Sequence, residues 1–279
     1  MTTNKLAKVG LTIVDLAFWK VIDLANSCKR VAIVTGAGIS ADSGIPTFRG
    51  AGGFWRQFQS QELATPEAFS ADPSLVWQFY HYRRELVTKT EPNAAHCAIS
   101  NAEKRAKSKQ IQLTIVTQNV DSLHSRSGSE NILELHGNLF KTRCTKCHKI
   151  EFNYDSPICE SLRGTEDMNN SKKIPINQLP TCKSCKSLLR PHIVWFGENL
   201  EPAILDGAQQ LMHQCDICFL IGTSSIVYPA AALAPSAAAR GVPVVEINLE
   251  TTPSSPIAHF HFSGRASEVV PQIFNHLFI

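Results

Sequence analysis

The chain has 279 residues, of which 43% are hydrophobic, 18% are charged and nine are cysteines. This composition is typical of a globular protein with one large core and room for a smaller module. The net charge of +3 is too mild to indicate nucleic-acid binding. The longest apolar region, residues 217–239, is interrupted by Gly222, Pro229 and Pro235, so we do not expect a membrane-spanning helix there.

The N-terminal segment, residues 1–27, has lysines but no acidic residue before Asp15. Its apolar residues are compatible with an amphipathic helix. Two interpretations stay open, a mitochondrial transit peptide and a plain N-terminal helix, because the segment lacks the usual richness in Arg and Ser.

Apolar runs that each end in a polar turn alternate with helical patterns along the chain. The runs predict strands at residues 31–34, 113–117, 217–221 and 242–247. The helical patterns lie at residues 73–88, 94–107 and 229–240. This alternation predicts an α/β fold with a doubly wound parallel sheet. Since ligands of such sheets bind at the carboxyl ends of the strands, we expect the polar turns to converge on one site.

Residues 31–50, VAIVTGAGISADSGIPTFRG, contain the most specific motif. The glycines of residues 36–38 follow a strand, where they allow a phosphate to approach the backbone, and a following helix start supplies N–H donors. An ordinary dinucleotide-binding dehydrogenase would continue into a second strand with an acidic residue about 20 residues later. Here Pro46 ends the helix and begins a loop with Phe48 and Arg49, which is suited to covering a bound cofactor.

Two CxxC pairs supply four thiolates, the donor set of a closed structural zinc site. These cysteines are Cys144, Cys147, Cys182 and Cys185. Four unrelated thiols are the alternative, and a catalytic zinc is disfavoured because four thiolates leave no position for water. The pair Cys215 and Cys218 runs directly into an apolar strand, which favours core packing. Residues 160–178, between the two CxxC pairs, are polar and predict a loop.

His136 ends a short strand-like run just before the cysteine module. A lone histidine is more often structural, but Gln118, Asn119 and Asp121 follow a predicted strand and offer amides and a carboxylate to a ribose and a carboxamide. No Ser-His-Asp or Cys-His arrangement is recognisable. This combination indicates that a substrate atom or the cofactor supplies the reacting centre.

Tyr80 and Arg83 share one face of a predicted helix, because residues three apart are neighbours on a helix. A phenol and a guanidinium placed together could bind a carboxylate. From the spacing alone, an amphipathic helix with an aromatic core stripe and a solvated Arg is the favoured alternative.

The ordered motifs of this chain resemble those of the sirtuins, which are NAD-dependent protein-lysine deacylases, over about residues 28–275. The motifs are GAGIS with GIPTFR, TQNVD, LHG, the two CxxC pairs, VWFGE, GTSS and NLE. The resemblance implies a Rossmann-like core at about residues 28–52, 106–139 and 191–275. It also implies a helical insertion at about 53–105 and a zinc module at about 140–190.

The resemblance implies the reaction as well. In the family, the acyl-lysine oxygen attacks the anomeric carbon of the nicotinamide ribose, nicotinamide leaves, and water finally releases lysine and O-acyl-ADP-ribose. The residue matching His136 acts as general base, and Asn119 and Asp121 complete the implied catalytic set. The implied NAD-binding residues are Gly36, Ala37, Gly38, Ile39, Ser40, Asp42, Pro46, Phe48, Arg49, Gln118, Asn119, Asp121, Gly222, Thr223, Ser224, Asn248, Leu249, Glu250 and Ala266.

The segment FYHYRRE resembles the class III branch of the family, in which the matching Tyr and Arg bind the carboxylate of succinyl, malonyl or glutaryl lysine. This resemblance favours an Arg83 that binds a carboxylate over a solvated Arg83. Ala64 matches a small residue that widens the acyl pocket of that branch. The residues implied to pair with the substrate backbone are Val194, Trp195, Phe196, Gly197 and Glu198.

We therefore expect an NAD-dependent deacylase of acidic acyl-lysine with one structural zinc ion. We expect acylated proteins as partners, no nucleic acid and no membrane, a monomer, and a mitochondrial location with cytosol and nucleus as alternatives. The rival hypotheses are a plain deacetylase, an ADP-ribosyltransferase and a non-catalytic sensor of NAD or ADP-ribose.

Overall fold

The computed structural model describes residues 13–47, 53–170 and 172–279. The strands are β1 (Arg30–Thr35), β2 (Phe54–Trp55), β3 (Phe58–Gln59), β4 (Gln112–Thr117), β5 (Ile132–Glu134), β6 (Gly137–Cys144), β7 (Ile150–Phe152), β8 (Leu189–Ile193), β9 (Ile217–Ile221), β10 (Val244–Asn248) and β11 (Phe260–Ser263). The α-helices are α1 (Ile13–Ser27), α2 (Gly38–Ala41), α3 (Ser60–Leu63), α4 (Pro66–Ala71), α5 (Pro73–Thr88), α6 (Ala94–Ser108), α7 (Leu123–Arg126), α8 (Pro202–Gln214), α9 (Leu233–Ala238) and α10 (Ala266–Phe274).

Six of the described strands form one parallel sheet in the order β11-β10-β9-β1-β4-β5. In its centre, Val34 pairs with Val116 on one side and Leu220 on the other. The predicted α/β fold is thus confirmed. Strands β4 and β5, which follow β1 in the chain, lie on one side of it, and the later strands β9, β10 and β11 lie on the other. The carboxyl end of β1 is therefore a topological switch point, where ligands of such sheets bind.

The four predicted strands correspond to β1, β4, β9 and β10, and the strand-like run before His136 overlaps β5, whereas β11 was not predicted. The edge strands β5 and β11 gave the weakest signals. Both are short strands at the edges of the sheet. Their residues are mostly half-buried or exposed, so neither strand has the continuous apolar run by which a buried parallel strand is recognised.

Helices cover both faces of this sheet. On one face, α1, α6 and α10 contribute Ile22, Ile99 and Ile273 to a core with the sheet, and on the other α8 and α9 contribute Leu211 and Ala234. Helix α6 therefore packs as part of the sheet's helical layer, although the predicted helical insertion at residues 53–105 contained most of it. Within the described residues, no helix has the length and apolar character needed to cross a membrane.

A second core joins α5 to the small antiparallel sheet β7-β6-β8. Helix α5 begins where Pro73 occupies its first turn and Asp72 caps it by accepting a hydrogen bond from the Leu75 amide at 3.0 Å. The Trp77 indole then donates to the Leu189 carbonyl at 2.8 Å. These contacts hold one face of α5 against β8.

The polar segment 160–178 is largely irregular, as predicted, but it is docked on α5. The Ile174 amide donates to Ser74 Oγ at 2.9 Å, and Gln78 Nε2 donates to the Lys172 carbonyl at 2.8 Å. Ile174 is 4% exposed. The segment therefore belongs to the second core, although its composition indicates a solvated loop.

Arg84 fastens α5 to the small sheet. Its side chain is 2% exposed, and it donates to the carbonyl oxygens of Leu139 at 2.6 Å, Asn153 at 2.9 Å and Asp155 at 3.1 Å. Burial lowers the pKa of Arg84 to about 10, so the guanidinium stays charged at neutral pH. Carbonyl oxygens compensate the desolvation of this charge.

Replacing Arg84 with Met should destabilise the protein, because three carbonyl oxygens, that of Leu139 fully buried, lose a charged donor. We expect the free energy of unfolding to fall by about 2–4 kcal/mol, measured by chemical denaturation. The exposed Lys89→Met, one residue past the same helix, is the control and should change it by less than about 0.5 kcal/mol. Equal effects of the two substitutions would contradict the anchoring role.

Candidate active site

The loops that follow β1 and β9 approach each other through glycines. The Gly36 amide donates to the Ile221 carbonyl at 3.1 Å, and the Gly38 amide donates to the Gly222 carbonyl at 2.7 Å. A Cβ atom on Gly36 would lie 2.7 Å from the Cα atom of Thr223, and one on Gly38 would lie 2.8 Å from the Cα atom of Gly222. No side chain fits at either position, so the two loops form one continuous floor at the switch point.

Amide side chains join the other strand ends to this floor. Asn119 Nδ2 donates to the Gly36 carbonyl at 2.9 Å, and Gln118 Nε2 donates to Thr223 Oγ1 at 2.9 Å. Asn248 Nδ2 donates to the Thr223 carbonyl at 2.8 Å. The loops after β1, β4, β9 and β10 therefore meet at one place, as the doubly wound fold led us to expect.

Asp121 is a buried carboxylate, 5% exposed, at the centre of this meeting point. It accepts hydrogen bonds from Ser40 Oγ at 2.7 Å and from the Leu123 amide at 2.9 Å. Burial raises the pKa of Asp121, while these two hydrogen bonds and the charge of Arg83 lower it. Asp121 thus links α2 to the loop after β4.

His136 is half-buried, and its Nδ1 lies 3.0 Å from the Gln118 carbonyl oxygen. A carbonyl oxygen can only accept, so Nδ1 carries the proton and Nε2 keeps a free lone pair. Burial lowers the pKa of His136, which leaves the ring neutral at pH 7. The arrangement suits a general base that acts through Nε2.

The residue after His136 brings the small sheet close to this imidazole. Gly137 has a φ of +81°, and a Cβ atom there would lie 2.1 Å from the His192 carbonyl oxygen. The carbonyl of His136 accepts a hydrogen bond from the Val194 amide at 3.0 Å. The segment after β8 therefore runs directly beside the histidine.

The remaining predicted NAD-binding residues that the structure describes differ in their exposure. Ala37 and Ser224 are half-buried, Ile39 and Ala266 are buried, and Pro46, Leu249 and Glu250 are exposed. Phe48 and Arg49 lie outside the described residues.

Asp42 is held by helix α10. Its carboxylate accepts from Arg265 Nη1 at 2.5 Å and from Ser267 Oγ at 2.6 Å, and the hydrogen bond from Ser267 is the main cause of its lowered pKa. These bonds hold the residues around Ala266 against the end of α2. The distance between Asp42 and Ala266 along the chain gives no indication of this contact.

The predicted acyl-pocket residues lie together in the second core. Tyr80, 1% exposed, accepts a hydrogen bond from Trp195 Nε1 at 2.9 Å, and the Ala64 carbonyl accepts one from the Phe196 amide at 2.9 Å. Burial raises the pKa of Tyr80 to about 12, so its phenol stays protonated.

Arg83 follows one turn after Tyr80 and is half-buried. Burial is the main cause of the lowered pKa of Arg83, and the charges of Arg83 and Asp121 shift each other's pKa. The Arg83 guanidinium carbon lies 5.7 Å from the centroid of the buried Phe79 ring, so Arg83 is not the solvated Arg of a surface helix.

A groove of about 360 Å³ runs along the segment predicted to bind substrate. Val194, Gly197 and Glu198 line it, together with Arg143 from β6. Phe196, Ile226 and Tyr228 are exposed apolar side chains after β8 and β9. Sequence analysis assigned no role to Ile226 or Tyr228, which follow the polar GTSS turn.

The four cysteines of the CxxC pairs form one cluster at the end of the small sheet. Their sulfur atoms lie within 4.8 Å of one another, with Cys144 Sγ 3.4 Å from Cys185 Sγ and Cys147 Sγ 3.8 Å from Cys182 Sγ. A tetrahedral zinc with Zn–S bonds of about 2.3 Å requires sulfur atoms about 3.8 Å apart. The donor set and its dimensions therefore fit a structural zinc ion. Cys215 and Cys218 are buried in the sheet core, as predicted.

Cys182→Ser should lower the zinc content from one ion per chain toward zero and unfold the small sheet, because binding of a structural zinc contributes folding energy. Atomic emission spectroscopy and thermal denaturation measure the two effects. Cys215→Ser is the matched control and should retain the metal. Full zinc content in the Cys182 variant would contradict the four-cysteine site.

Comparisons with known proteins agree with this arrangement. The Sir2 family model matches residues 36–229. The chain is 52% identical to the "NAD-dependent protein deacylase sirtuin-5, mitochondrial" of Canis lupus familiaris, over 89% of this chain and 82% of the relative. It is 54% identical to an "NAD-dependent protein deacylase" of Daphnia pulex, over 92% of this chain and 94% of the relative. A solved Sir2 homolog in complex with NAD is 40% identical with a TM-score of 0.81, covering 92% of this chain and 93% of its own. The chain therefore belongs to the Sir2 family, the sirtuins.

Proposed function

We propose that the protein is an NAD-dependent deacylase that removes acidic acyl groups from protein lysine, with release of nicotinamide and O-acyl-ADP-ribose. The names of its relatives support the deacylase activity. The observation that carries the acidic preference is the placement of Tyr80 and Arg83 one turn apart on α5, the first buried and the second half-buried. The acyl groups we propose are succinyl, malonyl and glutaryl.

The glycine floor supports NAD as the co-substrate. Gly36 and Gly38 leave no room for a Cβ atom, and the backbone they expose is suited to a pyrophosphate. Asn119 and Asp121 supply an amide and a carboxylate at the same place, suited to the nicotinamide and its ribose. When bound, NAD would supply a glycosidic bond whose cleavage creates an electrophilic ribose carbon for the acyl oxygen.

We assign His136 as the general base. Its Nε2 would take a proton from a ribose hydroxyl, while the Gln118 carbonyl holds the Nδ1–H and fixes the ring. This orientation of an imidazole beside the substrate segment also argues against a non-catalytic sensor of NAD or ADP-ribose.

Arg83 and Tyr80 would recognise the end of the acyl chain. An acyl carboxylate can pair with the Arg83 guanidinium through two hydrogen bonds and accept a third from the Tyr80 phenol. An acetyl group offers neither contact, so it would leave polar groups in a largely buried pocket poorly compensated. This argues against a plain deacetylase, and no feature of the described residues favours an ADP-ribosyltransferase.

Residues 194–198 would bind the substrate backbone. They follow β8, which is an edge strand of its sheet, and Val194, Gly197 and Glu198 line the groove. The Val194 amide donates to the His136 carbonyl at 3.0 Å. Main-chain pairing at an edge places few demands on the side chains of the peptide, so many acylated proteins could bind.

We propose that one structural zinc ion is held by the four cysteines and that the protein acts as a monomer. Several relatives are named as mitochondrial proteins, which agrees with the mitochondrial location expected from the sequence.

Replacing Arg83 with Met should reduce desuccinylation far more than deacetylation, because only the acidic acyl group pairs with the guanidinium. We expect kcat/KM for a succinyl-lysine peptide to fall about 100-fold relative to the same acetyl peptide. Mass spectrometry of both peptides measures this ratio. An equal loss for the two peptides would refute the carboxylate contact, and Arg83→Lys should recover part of the preference.

The pH profile of kcat/KM should report the state of His136. The neutral imidazole is the active form, so kcat/KM should stay constant as the pH falls toward the pKa of His136 and should decrease below that pKa. Because burial lowers this pKa, the midpoint of the decrease should lie below 6.5, the ordinary pKa of histidine. His136→Tyr should retain NAD binding and lose about 10²–10⁴-fold in turnover. Full activity of this variant would exclude the assignment of the base.

A further inference from the structure

Trp195 makes a contact with the acyl pocket that backbone pairing to a substrate does not require. Its indole is 2% exposed, and Nε1 points into the second core, where it lies 2.9 Å from the Tyr80 hydroxyl oxygen. We infer that Trp195 is a positioning residue for acyl selectivity, whose N–H orients the Tyr80 phenol so that the phenolic proton is presented to an acyl carboxylate. The inference rests on the function proposed above and assigns a further residue to its selectivity.

The direction of this hydrogen bond follows from chemistry. An indole N–H can only donate, so the Tyr80 oxygen must accept, and the phenol has a single proton of its own. The bond from Trp195 occupies a lone pair of the hydroxyl oxygen and does not use the phenolic proton. The phenolic proton therefore remains available to a bound acceptor. Because Tyr80 stays protonated at neutral pH, with a pKa of about 12, the phenol keeps this donor.

The indole is itself held in place by a charged pair. The Arg190 guanidinium carbon lies 3.5 Å from the centroid of the Trp195 ring, and Glu198 binds Arg190 through both oxygens at 2.5 and 2.8 Å. Glu198 also accepts from the Trp195 amide at 2.9 Å. A planar guanidinium with two fixed hydrogen bonds is a rigid surface against which the indole packs.

These contacts form a continuous series from Glu198 through Arg190 and Trp195 to Tyr80. The series matters for selectivity because a phenol free to rotate about its C–O bond would donate to a carboxylate only part of the time. An accepted bond on one side restricts where the proton points. An acetyl group does not use that proton, so the effect is specific to acyl groups with a distal carboxylate.

Trp195→Phe tests the inference, since it keeps an aromatic ring and removes the N–H. We expect the ratio of kcat/KM for a succinyl peptide to that for its acetyl counterpart to fall about tenfold, mainly through KM for the succinyl peptide. Tyr80→Phe should lower the same ratio. In the double variant, the Trp195 change should add less than about twofold, because the two groups act through one hydrogen bond.

Trp77→Phe is the matched control. Its indole is also buried and also donates one hydrogen bond, at 2.8 Å, but to the Leu189 carbonyl and not to the pocket. We expect it to lower the melting temperature and leave the succinyl-to-acetyl ratio within about twofold of wild type. If Trp195→Phe does not fold, Arg190→Lys weakens the stack from outside the core and should lower the ratio about threefold.

The outcomes separate this inference from the proposed function. A wild-type protein that prefers acetyl over succinyl peptide would remove the acidic preference itself. A wild-type preference for succinyl with an unchanged ratio in Trp195→Phe would overturn the positioning role alone. Equal losses for both peptides, or fully additive effects of the Trp195 and Tyr80 changes, would also overturn it.

Discussion

The close backbone approach between the loops after β1 and β9 is the constraint on which the site depends. The Gly38 amide bonds the Gly222 carbonyl, and Gly222, at a φ of +59°, would place a Cβ atom 2.4 Å from the Ile39 nitrogen. Only glycines permit this contact. It brings Thr223 within reach of Gln118 and Asn248, so the polar side chains of several strands share one floor. The orientation of His136 follows, because its ring is held by the carbonyl of Gln118.

The position of α5 is the second constraint on the site, and its consecutive residues Arg83 and Arg84 have different contacts. Arg84 turns into the second core and bonds the carbonyl oxygens of β6 and of residues 153–155. Arg83 is half-buried, with its guanidinium carbon 5.7 Å from the centroid of the Phe79 ring. Because the buried Arg84 guanidinium fixes the rotation of the helix, it also fixes the direction in which the Arg83 side chain leaves the helix. Arg84 would thus contribute to the proposed acyl recognition by fixing the rotation of α5.

The fold and the residue types of the site were predictable because they depend on local patterns. Continuous apolar runs identify the central strands, and glycines at a strand end identify the floor. Edge strands such as β11, with His261 and Ser263 exposed, have no such run. Contacts between distant segments have no local signal at all. The Trp195 bond to Tyr80 spans 115 residues, and the Arg265 bond to Asp42 spans 223.

The electrostatic interaction between Arg83 and Asp121 would couple the proposed acyl recognition to the proposed nucleotide site. Burial favours the protonated form of Asp121, and the positive charge of Arg83 is one of the influences that oppose this. Loss of that charge therefore acts on the Asp121 carboxylate as well as on an acyl carboxylate, and it would slow the reaction with any acyl group. Since the first effect is common to all substrates, it cancels in a ratio of two peptides measured at one pH. The succinyl-to-acetyl ratio isolates recognition of the acyl group, whereas an absolute rate combines it with the state of Asp121.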